Sequence, residues 1–68
     1  MDTTKIQQAW DAKAAARHLA STLGSLAHSH DQVIAYPQSE SAKEYLAKNE
    51  ELVRQAHAQY LAAVEGLV

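Results

Sequence analysis

Four histidines, five serines and two glycines are the residues with which this chain could do chemistry, so their spacing comes first. His28, His30 and Asp31 sit close enough in sequence to invite a metal ion. On a helix, though, side chains two residues apart point to different faces, and both rings reach one ion only where the helix has already ended. His18 and His57 lie elsewhere along the chain, and no convergent set of three or four ligands emerges. The absence of cysteine removes both a thiolate cage and a disulfide staple. Among Ser21, Ser25, Ser29, Ser39 and Ser41, two are candidate helix caps and none sits in a strand–turn–helix nucleophile elbow. Gly24 and Gly66 cannot build a phosphate-cradling loop, and a two-helix chain lacks a cavity deep enough to desolvate a substrate. The expectation is a protein that is not an enzyme and carries neither metal nor cofactor.

Binding chemistry is the better prospect. Six basic residues against eight acidic ones give a net charge of −2, and Lys5, Lys13, Arg17, Lys43, Lys48 and Arg54 are spread out rather than massed in a stripe. Phosphate backbones need a denser positive face. Aromatic and aliphatic side chains are more telling. Trp10 and Tyr45 fall outside the helical seams described below, and Ile34 and Tyr36 lie in the segment between helices, where polar residues are the norm. Trp and Tyr bury much area with few rotors to freeze, which makes them good interface anchors. Trp10, Ile34, Tyr36 and Tyr45 are therefore the expected contacts to a protein partner, with Arg17 as a rim charge.

These residues must be held by helices. From Asp2 or Thr4, either of which can cap, to about Ser29, only Gly24 opposes helix, which predicts a first helix over 3–29. A break at Gly24 followed by a short extra helix ending near Tyr36 is the alternative. A second helix is predicted over 39–66, announced by Pro37 and by the Ser41-Ala-Lys-Glu44 capping box, with Ser39 as a competing cap and Gly66 as the stop. Glu44 with Lys48 and Glu50 with Arg54 have i,i+4 spacing suited to a solvated face. That leaves 30–38 as a connector longer than an ordinary helix–helix turn. Its Val33, Ile34 and Tyr36 either fold back over the end of the core or are presented to a partner as an extended apolar segment.

Heptad spacing is the strongest signal. Ala42, Leu46, Asn49, Val53, Ala56, Tyr60, Ala63 and Leu67 alternate steps of four and three. In the first helix Ala9, Ala12, Ala16, Leu19, Leu23, Leu26 and His30 follow the same rule. Alanine-lined seams let helix axes approach closely, and the expected fold is an all-α antiparallel helical hairpin. A turn near residue 34 would set Ala16 beside Leu52 and Val53, and Leu23 beside Tyr45 and Leu46. Asn49 on the seam is either wetted at its edge or paired with a polar group or its own symmetry mate, fixing register. Replacing it by Leu should raise the melting temperature in both cases.

The 68-residue chain has no margin of stability. Fourteen of its apolar residues are alanines, each burying little area. Apolar side chains on the second helix span close to half its circumference, from Leu52 and Tyr45 to Leu61 and Val68, more than one partner helix covers. A homodimeric four-helix bundle would cover both these flanks and Trp10. The longest uninterrupted apolar run, Tyr60 to Val64, is too short for a secretion signal or a membrane span, so the expected location is the cytoplasm.

Two amphipathic helices that need dimerisation to close a core make the chain similar to the plasmid RNA-binding Rop family, in architecture only. That family's basic and aromatic RNA-contacting face has no recognisable counterpart here, and its turn is tighter. Small helical-hairpin co-chaperones of type III secretion and small phage-encoded inhibitors of host proteins share the outline. The leading expectation is an interaction module that occludes, inhibits or chaperones a protein. The alternative is a Rop-like nucleic-acid adaptor using Lys5, Lys13 and Arg17 doubled by dimer symmetry.

Overall fold

The computed structural model describes residues 3–66. It consists of two helices, α1 (Thr3–Ala35) and α2 (Glu40–Glu65), packed against each other as an all-α hairpin. The hairpin is a rod whose Cα atoms span 57 × 14 × 13 Å.

Helix α1 is one continuous element, 33 residues long, so neither the break at Gly24 nor a third helix occurs. Gly24 is exposed, and a methyl group added there would meet nothing within 4 Å. Its cost of about 1 kcal/mol relative to Ala is absorbed by a helix that is already propagating on both sides. For the same reason α1 does not stop near Ser29. Val33 and Ile34 are β-branched, but each costs only a few tenths of a kcal/mol and adds a further backbone hydrogen bond. The effective stop is Pro37, which has no N–H and disfavours helical backbone at Tyr36. The Tyr36 N–H still donates to the Gln32 carbonyl at 2.9 Å, and the Ser39 N–H donates to the Tyr36 carbonyl at 3.0 Å. The expected nine-residue connector thus shrinks to a tight turn at 36–39.

Ser39 wins the competition to cap α2. Its backbone is extended, at φ −78° and ψ 117°, and its Oγ accepts the Ala42 N–H at 3.1 Å. The Ser41–Glu44 box is not used because Ser41 already lies inside the helix. At the other end α2 stops at Gly66 as expected, but with right-handed φ of −73° rather than in the left-handed conformation. An added Cβ at Gly66 would lie 2.8 Å from Gln8 Nε2, so its small size serves the approach of Gln8. The surface ion pairs also differ from expectation. Lys43 pairs with Glu40 at 3.5 Å and Arg54 with Glu51 at 3.0 Å, both at i,i+3 spacing.

The α2 seam is as read from the sequence: Ala42, Asn49 and Ala56 are buried, and Leu46, Val53, Tyr60 and Ala63 half-buried. Leu67 lies outside the described residues. The α1 seam requires correction. Ala12, Leu19 and Leu26 do face α2, but the alternating positions are Gln8, Ala15, Thr22 and Ser29, whereas Ala9, Ala16, Leu23 and His30 are exposed. The inward face is rotated by one residue toward smaller, more polar side chains.

Two hydrogen bonds make that rotation affordable. Thr22 Oγ1 donates to the Leu19 carbonyl at 2.8 Å, and Ser29 Oγ donates to the Leu26 carbonyl at 2.7 Å. Each hydroxyl is satisfied within its own helix and can be buried without a partner on α2. Ser29 is fully buried.

Register shifts as well. With the turn at 36–39, opposed residues are equidistant from a midpoint between Pro37 and Gln38. The ring contact of His28 with Tyr45 and the approach of Gln8 to Gly66 agree with this to within two residues. Ser29 is thereby level with Leu46, Leu26 with Asn49, Thr22 with Val53, and Leu19 with Ala56. Large faces small in each layer. The expected pairings of Ala16 with Leu52 or Val53, and of Leu23 with Tyr45 or Leu46, do not form, because the turn falls about three residues later than residue 34 and every pairing slides by about one heptad.

Candidate interaction surface

A core of this kind leaves large apolar side chains outside. Among the described residues the buried apolar ones are Ala12, Ala42 and Ala56, while Ile6, Trp10, Leu23, Ile34, Tyr36, Tyr45, Leu52 and Leu61 are all at least 41% exposed. The close approach that small residues permit is the cause. When alanine, serine and threonine occupy the contact, larger side chains on the flanks cannot converge behind it.

At the open end of the hairpin Trp10 stands 60% exposed on the side of α1 opposite the seam. Ile6, Ala9 and Lys13 line a shallow groove of about 250 Å³ on one side of the indole, and Lys13, Ala14 and Arg17 a second of about 290 Å³ on the other. The Lys13 ammonium lies 4.7 Å from the indole centroid, a cation–π contact. Arg17, the expected rim charge, borders the second groove. Lys5 does not join Lys13 and Arg17. At 100° per residue it stands about 80° around α1 from the first and about 120° from the second, so the three do not form one basic face.

At the closed end His28, Gln32, Tyr36, Ser39, Ala42 and Tyr45 border a groove of about 310 Å³. His28 and Tyr45 meet edge to face, with ring centroids 6.3 Å apart and planes at 80°. Pro37 holds Tyr36 at the lip of this groove, 61% exposed. Among the described residues Ile34 is the most exposed large apolar one at 76%, but it is helical and does not belong to an extended segment. Neither expectation for the connector is met as stated: of Val33, Ile34 and Tyr36, only Val33 turns inward, half-buried.

The five expected contact residues therefore do not form one patch. Tyr36 and Tyr45 converge at the closed end, Ile34 lies in the last turn of α1 at that end, and Trp10 with Arg17 occupies the open end. Along α1 Trp10 and Ile34 are about 36 Å apart. Ile6 and Leu23 are also on the surface, although Leu23 was expected on the seam and Ile6 was not among the expected contacts. Their signal was present, since they share a second row with heptad spacing along α1.

Asn49 is 5% exposed and its Nδ2 has no hydrogen-bond partner. It is neither wetted at the edge of the seam nor placed to reach a symmetry mate, being enclosed between α1 and α2. Among the described residues no three His, Asp or Glu side chains gather as a metal site would require. No described helix is long and apolar enough to cross a membrane.

The fold and surface define a helical hairpin with a small-residue core and apolar flanks. Comparison with protein-family models, curated proteins and solved structures finds no match for this chain.

Proposed function

We propose that the protein is a non-enzymatic interaction module of the cytoplasm that binds a protein partner and occludes or stabilises it. One observation carries this reading: the aromatic side chains Trp10 and Tyr36 are more than half exposed while the core is built from alanine. Exposed aromatic anchors next to shallow apolar grooves are what an α-helix or an apolar turn of another protein fills, and the desolvation of those rings would supply the affinity. Tyr36, Tyr45 and Ile34 form the closed-end contact and Trp10 the open-end contact, with Arg17 tuning approach more than strength.

The test is co-purification of the tagged full chain from its native cells at high salt, repeated with Trp10→Ala and Tyr36→Ala. A stoichiometric protein partner that survives high salt and is lost in either variant, at unchanged helical circular dichroism, supports the reading. Retention of RNA or DNA that disappears at high salt and on Lys13→Ala overturns it in favour of the nucleic-acid adaptor. Loss of helicity in Trp10→Ala would make the indole part of the fold and remove it from the surface.

A further inference from the structure

Helix α1 carries two rows with heptad spacing. The first, through Ala12, Leu19 and Leu26, packs on α2. The second, through Ile6, Ala9, Lys13, Ala16, Ala20, Leu23, Ala27, His30 and Ile34, alternates steps of three and four over the same length, and every member is exposed. Its period restricts the occupant to another α-helix, since only a helix matches knobs to holes at this repeat.

We propose that this row is a self-association interface in which α1 of one copy packs antiparallel on α1 of a second copy. Exposed area points to a partner of that size. The chain exposes 5060 Å². A folded single-domain protein of 7.4 kDa exposes about 4,200 Å². The excess, about 850 Å², matches the roughly 800 Å² that each partner contributes to a standard interface.

Self-complementarity selects a second copy. A two-fold interface must present the same surface to itself. Run antiparallel about a midpoint between Ser21 and Thr22, the row sets Ile34 against Ala9, Leu23 against Ala20 and Ala16 against Ala27 of the second copy. Large meets small, as it does between α1 and α2. Lys13 would be level with His30 of the second copy, and its ammonium is already turned aside onto Trp10. On this side of the hairpin α2 offers Lys43, Glu50 and His57, so α1 and not α2 is the helix that can be desolvated. The inference goes beyond the partner-binding reading, with which it shares Ile34 and the Ile6, Ala9 and Lys13 lining of one groove beside Trp10.

Sedimentation equilibrium of the purified full chain tests it. The expected mass is twice the 7.4 kDa of the chain. Ala20→Arg buries an unpaired charge and should weaken association by about 100-fold or more. Helicity should be retained, because Ala20 is outside the α1–α2 seam. Leu52→Ser, on the opposite flank, should leave the mass unchanged. A monomeric wild type, or a dimer indifferent to Ala20→Arg, overturns the proposal. Orientation is read by oxidation, since the chain has no cysteine of its own. Mixed Ala9→Cys and Ile34→Cys chains should cross-link to each other, whereas cross-linking of Ala9→Cys chains among themselves would refute the antiparallel arrangement.

Discussion

Asn49→Ala should stabilise this protein, which is unusual for a buried position. The Nδ2 group of Asn49 has no hydrogen-bond partner although the residue is only 5% exposed. A buried donor without a partner costs about 1–3 kcal/mol. Alanine removes that cost and adds roughly 0.5 kcal/mol of helix propensity in the interior of α2. Against this stands a void of roughly 25 Å³, worth about 0.6 kcal/mol if the site does not relax. The net gain is about 1–3 kcal/mol. For a domain of this size that corresponds to a rise in melting temperature of about 4–8 °C per kcal/mol. Substitution by Ala also completes a repeat in which every seventh α2 position, Ala42, Asn49, Ala56 and Ala63, is small. Asn49→Leu removes the same donor but must fit a larger side chain level with Leu26, so overpacking of about 1–3 kcal/mol offsets the gain. The assay is thermal denaturation followed at 222 nm at fixed protein concentration, because the proposed self-association would make the melting temperature concentration-dependent. A lower or unchanged melting temperature for Asn49→Ala would show that the amide is partnered and the reasoning wrong.

Three further outcomes follow from local geometry. Ser39→Ala should cost about 1 kcal/mol through loss of the α2 cap, while Ser41→Ala should stay within about 0.5 kcal/mol of wild type; equal effects would mean that the capping assignment is wrong. Gly24→Ala should stabilise by about 1 kcal/mol, since the added methyl group meets nothing within 4 Å, and a loss of stability in urea unfolding would contradict a continuous α1. Ala56→Val should destabilise by about 1–3 kcal/mol because Ala56 is fully buried level with Leu19, and full tolerance in the same assay would show that the helices are not in close contact there.

The class of fold, the whole described seam of α2 and the exposure of Trp10, Tyr36 and Tyr45 were legible in the residue pattern alone. On α2 one row of alternating large and small residues runs down the middle of the apolar face and charged residues take most of the opposite face, so periodicity has a single solution. Trp10 could be placed outside the seam from its angular position alone. On α1 the same signal is degenerate. Ala12, Leu19 and Leu26 belong to both candidate rows, and hydrophobicity prefers Leu23 and Ala16 to Thr22 and Ala15. Tertiary packing decided otherwise, because close contact with α2 rewards a small side chain over an apolar one, and Thr22 and Ser29 close their own hydrogen bonds on preceding carbonyls. Register was equally out of reach of the sequence. It depends on where α1 ends, and that end is set by Pro37 acting on a helix already long enough to carry Val33 and Ile34. Packing of the two helices therefore sets the rotation of α1, and with it the side of the rod on which Ile6, Leu23 and Ile34 are left uncovered.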